Sequence, residues 1–239
     1  MNIVQLLSSF ALPHAVIGTA ALATFWIAAL ARKGSPLHKT IGKVYLLAMI
    51  GVVLTALPLA LSYGLQGQWI GATFLAYLVV LVSHACRSAW MAIRWKRDFK
   101  RFTGLGFRVS TVLLATMGLS VSIMGWVYDA WLLIIFGLIG PLGAVQARSL
   151  IKNGPQSPKW WLKEHYGAMI ANGVATHIAF LQIGLTRLIP ELGGGLIQHL
   201  SWFGPLAVAF AAGFWLDRRY IKPRANLPVS PQTAQGQVQ

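Results

Sequence analysis

The chain has 239 residues, of which 56% are apolar and only 10% charged, with a net charge of +15. A soluble domain carries roughly a quarter charged residues, so the composition excludes an ordinary water-soluble protein and makes a bilayer the expected solvent. The single cysteine, Cys86, excludes an internal disulfide, a thiolate metal cluster and a CxxCH attachment site.

A spanning helix needs about 20 apolar residues, and the chain offers about seven such runs. The first ten residues contain no Lys or Arg and lack the charged start of a signal peptide, so the first run is kept as a span. It covers 13–31, opening at Pro13 in the first helical turn and closing at Arg32-Lys33-Gly34-Ser35-Pro36. The second covers 38–62, with Pro58 as a kink. The third covers 69–93 and runs into the basic segment Arg94 to Arg101. The fourth covers 105–125, followed by an interfacial cluster of Trp126, Tyr128 and Trp131. The fifth covers 130–147 and contains Pro141, the sixth covers 162–189, Gly193-Gly194-Gly195 makes a turn, and the seventh covers 196–216. Residues 1–222 therefore read as one helical bundle, and the Pro- and Gln-rich segment 223–239 as a disordered tail.

Charge orients the bundle. The first-to-second, third-to-fourth and fifth-to-sixth loops and the C-terminal flank hold nearly all the Lys and Arg, whereas the other side has Arg187 alone. Positive loops stay in the cytoplasm. The expected fold is an all-α polytopic membrane bundle with its N-terminus outside and its C-terminus and tail in the cytoplasm. The basic loops account for the net charge, and their expected partner is the anionic cytoplasmic leaflet rather than nucleic acid. The expected location is the cell membrane, as in a bacterial inner membrane.

The five acids, Asp98, Asp129, Glu164, Glu191 and Asp217, all lie in loops or at span ends. A proton-coupled transporter needs a group within the membrane that changes charge, so a carboxylate-driven transporter or a channel ranks third. A retinal Schiff base needs a lysine inside the bundle, and every lysine, Lys222 included, sits in a basic loop or flank. No HExxH metal motif and no Gly-rich phosphate loop is present.

The six histidines are placed in layers. His38 and His165 start the second and sixth spans at the inner face. His14 and His199 lie near the outer ends of the first and seventh. His84 and His177 are deeper. Haem iron takes two axial imidazoles, and facing helices supply them at equal depth. His38 and His165 form the expected inner pair around a haem b iron, with His84 as the alternative partner, and His14 and His199 the outer pair. For any one histidine, a plain hydrogen bond to a neighbouring helix or headgroup is the competing explanation. On the sixth span His165, Met169, Asn172, Thr176 and Arg187 fall on one stripe, either as interhelical glue or as a polar path. Arg87, one turn from His84, either snorkels to headgroups or meets an anion such as a haem propionate.

Two segments carry a resemblance. His14-Ala15-Val16-Ile17-Gly18, then Arg32-Lys33-Gly34 and His38-Lys39-Thr40-Ile41-Gly42-Lys43-Val44-Tyr45, resemble the start of bacterial multi-pass proteins classed as domain of unknown function 2306. Glu164-His165-Tyr166-Gly167-Ala168-Met169, continuing to Ala175-Thr176-His177-Ile178-Ala179-Phe180, resembles a later stretch of such proteins. The resemblance implies a multi-pass topology and draws attention to His14, His38 and His165, and it implies no activity. The leading expectation is a b-type haem-binding electron-transfer component with a quinone or redox partner. The alternative is a non-enzymatic membrane protein that binds a lipid, a quinone or a partner protein.

Overall fold

The computed structural model describes residues 2–185, 189 and 195–221. These residues are helical, and no strand occurs among them. The helices are α1 (Ile3–Ser8), α2 (Ala11–Leu30), α3 (Pro36–Leu65), α4 (Trp69–Arg94), α5 (Phe99–Phe102), α6 (Leu105–Val127), α7 (Trp131–Asn153), α8 (Trp160–Ala179) and α9 (Gly195–Leu216). A π-helical stretch, Phe180–Leu185, continues α8, and another, Asp217–Ile221, continues α9. Arg187, Glu191, Gly193, Gly194, Lys222 and the tail from Pro223 lie outside the described residues.

Local chemistry sets the ends. Ser35 accepts a hydrogen bond from the His38 amide and Pro36 occupies the first turn, so α3 begins two residues earlier than its apolar run. Two short helices were not visible in the hydropathy. Asn2 and Gln5 close a reciprocal capping box that starts α1. Asp98 accepts from the Arg101 amide and starts α5. α7 extends past residue 147 to Asn153, because Arg148 and Lys152 continue the helix beyond its apolar part.

Among the described residues, six helical segments are long and apolar enough to cross a membrane: 3–30, 36–65, 69–94, 105–127, 131–153 and 198–221. They make the protein membrane-embedded in character. α8 is the difference between this count and about seven. It has 20 residues, but Lys163, Glu164, His165, Asn172, Thr176 and His177 keep it out of the apolar group.

α6 and α7 form the closest hairpin. Gly118, Gly137 and Gly140 let their backbones touch, since a Cβ on any of the three would run into the facing helix. Ser122 donates to the Ile134 carbonyl at 3.1 Å across the same seam. A second group is built from α2, α3, α4 and α8. Its core contains Ala21, Tyr45, Leu46, Met49, Val82, Cys86 and Ala89, with Phe25, Ala168 and Met169 against it. α4 joins the two groups, packing on α3 and α8 on one side and α6 on the other. The loops after α2, α4 and α7 place Lys33, the segment 94–101 and Lys159 at one end of the bundle, called here the basic end.

Candidate functional site

α3 and α8 both start at the basic end, so they run parallel. On α3 the residues His38, Gly42, Tyr45 and Met49 share a stripe at helical spacing. On α8 the matching stripe is His165, Met169, Asn172 and Thr176. The two stripes meet. Tyr45 Oη lies 3.3 Å from Thr176 Oγ1, and Met49 Sδ lies 3.4 Å from the same hydroxyl. Thr176 donates to the Asn172 carbonyl at 2.8 Å, so the Tyr45 hydroxyl is the donor to Thr176. Cys86 on α4 donates to Asn172 Oδ1 at 3.7 Å. The Asn172 side chain is 0% exposed, and its Nδ2 has no partner among the described residues.

The inner histidines sit at the basic end of these stripes. His38 Nδ1 donates to the Ala28 carbonyl of α2 at 3.0 Å. His165 Nδ1 donates to the Ala89 carbonyl of α4 at 2.9 Å. A carbonyl only accepts, so each bond places the proton on Nδ1 and leaves a lone pair on Nε2. No hydrogen bond to either Nε2 occurs among the described residues. His38 and Lys33 both lie near His165, and the Lys33 charge acts on it. The Lys33 ammonium shares the Ala28 carbonyl with His38 at 3.4 Å and also donates to the Ala29 carbonyl. Partial withdrawal from water lowers its pKa from the usual lysine value. Gly34, with φ at 81°, makes the left-handed turn that brings Lys33 and His38 back onto the end of α2.

The other sequence candidates go elsewhere. His84 and Arg87 lie on the opposite face of α4 from Val82, Cys86 and Ala89. His84 Nδ1 donates to Ser110 Oγ of α6 at 2.9 Å, because the Ser110 hydroxyl is itself committed to the Phe107 carbonyl. Arg87 donates to the Phe102 carbonyl at 3.4 Å and lies over the Phe107 ring at 5.7 Å. Neither is brought to His165, so both are displaced from the inner site. His14 Nδ1 donates to Thr55 Oγ1 on α3 at 2.9 Å, and His199 stacks on Trp131 of α7 at 6.1 Å between ring centroids. The partners of the expected outer pair thus lie on different helices.

His177 has both nitrogens engaged. Nδ1 donates to the Gly173 carbonyl at 2.7 Å, and Nε2 accepts from Trp26 Nε1 at 2.9 Å. It has no lone pair to offer. Lys163 pairs with Asp217 at 3.4 Å, and Tyr166 donates to the same carboxylate, which ties the start of α8 to the end of α9. Among the described residues no group of three or more His, Cys, Asp or Glu side chains could hold a metal ion. A bis-imidazole centre needs only two such ligands.

Sequence reasoning passed over Lys33, Gly42, Tyr45 and Cys86. The first three were legible as a shared turn and stripe with His38; the role of Cys86 depends on which face of α4 meets α8. No family model matches the chain, and neither a curated protein nor a solved structure matches it.

Proposed function

We propose that the protein binds haem b between His38 and His165 and serves as a membrane electron-transfer component. The observation that carries this reading is the matched state of the two imidazoles: each donates Nδ1–H to a backbone carbonyl and keeps Nε2 free. The Nδ1–H bond to a carbonyl fixes the tautomer and ring orientation and raises the basicity of the ligating nitrogen. The donor set therefore suits an iron that takes two neutral imidazoles. Gly42 adds room, since a Cβ there would meet no atom within 4 Å. Bound haem would supply one-electron redox chemistry. The chain's own part is to hold the two imidazoles, exclude water with Tyr45, Met49 and Met169, and place the site at one membrane face, where a quinone or redox protein docks.

The test is spectral. Protein expressed with ample haem should carry a Soret band and a reduced-minus-oxidised difference spectrum. His38→Ala and His165→Ala should each lose most of the bound haem, while His84→Ala and His177→Ala should retain it. A colourless unaltered protein would overturn the reading.

The same proposal takes α8 as a seventh span with the basic end in the cytoplasm, in a bacterial inner membrane, as the likeness to domain of unknown function 2306 implies. At about 1.5 Å per residue, its 20 residues reach roughly 30 Å. Its polar residues face other helices, as intramembrane polar groups do. Reporter fusions after Lys100 and Lys159 should read cytoplasmic, and fusions after Gln66 and Asp129 external. An external signal from Lys100 would reverse the orientation, because 94–101 is the densest basic segment of the chain.

A further inference from the structure

Three cationic or cationisable groups, Lys33, His38 and His165, converge at the basic end of α3 and α8. No carboxylate among the described residues pairs with Lys33; the ion pair found there joins Lys163 to Asp217. An ammonium carries three N–H donors. The Ala28 and Ala29 carbonyls take two of them, which leaves one donor and an unneutralised charge. The carbonyls at the end of α2 aim the ammonium but do not cancel it. Lys33 is also exposed, so an incoming anion reaches it from the headgroup level.

Three other basic side chains near the site are turned or paired elsewhere. Arg87 is turned to α6, and Lys163 is held by Asp217. Lys39 follows His38 directly and so points roughly 100° away from the stripe. Beside His38 the wall is open at Gly42, one turn further in on the same face.

We propose that Lys33 anchors the anionic edge of the ligand held between His38 and His165, with Gly42 leaving the room for its flat face. The ligand class is a planar tetrapyrrole bearing carboxylates, and the inference rests on the haem reading above. Lys33 is a positioning residue: it selects for the carboxylate, and the imidazoles hold the metal.

The experiment titrates the full-length protein in detergent with ferric haem and with its dimethyl ester, reading the Soret band. The unaltered protein should bind haem about tenfold more tightly than the ester, the size of one charge-assisted hydrogen bond. Lys33→Gln should weaken haem about tenfold and leave the ester unchanged. Lys33→Arg should restore haem binding to within about threefold, since it keeps the charge. Lys39→Gln should change neither. Gly42→Leu should abolish binding of both compounds while the thermal unfolding curve stays in place, because its side chain enters open space. If the unaltered protein binds haem and Lys33→Gln binds it equally well, the anchor is overturned and the haem reading stands. If Gly42→Leu binds as before, the room lies elsewhere and that half is overturned. If the unaltered protein binds neither compound, both readings fall together.

Discussion

Gly118→Ala, Gly137→Ala and Gly140→Ala should each destabilise the protein by upwards of about 2 kcal/mol, whereas Gly143→Ala should be nearly neutral. The difference lies in what the new methyl group meets. At Gly140 it meets the Leu114 carbonyl, at Gly118 the Gly137 carbonyl, and at Gly137 both the Gly118 carbonyl and Ser122. Backbone on a facing helix does not step aside as a side chain does, so the whole hairpin must open. At Gly143 the nearest atom is Leu114 Cδ2, at 3.9 Å, which is ordinary contact. Small residues at a membrane seam bring backbones together for dispersion and hydrogen bonding, and the Ser122 bond to Ile134 depends on that approach. In a chain of this size, about 2 kcal/mol corresponds to a fall of roughly 4–8 °C in Tm. Thermal unfolding in detergent measures it. Equal Tm values for Gly140→Ala and Gly143→Ala would refute the close seam.

Asn172 should give opposite outcomes for two substitutions. Asn172→Asp should destabilise strongly, by several kcal/mol, because a carboxylate placed there would be wholly buried. Asn172→Leu should be neutral or slightly stabilising. The amide Nδ2 has no partner among the described residues, and an orphaned buried donor costs roughly 1–3 kcal/mol. Replacing it with an apolar group of similar volume removes that cost and loses only the weak thiol bond from Cys86. Thr176 is unaffected in either case, since it bonds the backbone carbonyl of residue 172 rather than its side chain. Chemical denaturation with each variant decides the matter, and a large loss of stability in Asn172→Leu would mean that the amide has a partner.

Much of the helical layout was legible because it depends on local pattern. The apolar runs and the Ser35-Pro36 start of α3 are written in residues a few positions apart. So is the stripe of His165, Met169, Asn172 and Thr176. The matching stripe on α3 was equally available, as Tyr45 and Met49 stand seven and eleven residues beyond His38. What could not be read is which face of α4 turns toward which neighbour. His84 and Ala89 are five residues apart, and only the packing of α6 on one side and α8 on the other separates their roles. For the same reason the sequence leaves Arg87 open between the headgroups and an anion. α8 lies in an apolar run that reads as a span, but among the described residues its polar groups leave six segments that qualify on length and apolarity. α1 and α5 do not show in the hydropathy because capping side chains, Asn2 with Gln5 in one and Asp98 in the other, define them rather than a hydrophobic period.

The parallel setting of α3 and α8 has a consequence for how the molecule is made. Tyr45 and Thr176, which meet in the core, are 131 residues apart in the chain. Ribosomes add roughly 5–20 residues each second, so α3 waits on the order of ten seconds in the membrane before α8 exists. During that interval His38 has already found Ala28 on α2, its immediate neighbour in the chain. Trp26 meanwhile lacks its partner His177, which is made 151 residues later. The nascent protein therefore passes through a stage in which the flank of α2 and α3 that α8 later covers is still open. The contacts that α8 makes with α2, α3 and α4 therefore form late, after the residues of the α6–α7 hairpin have all been made.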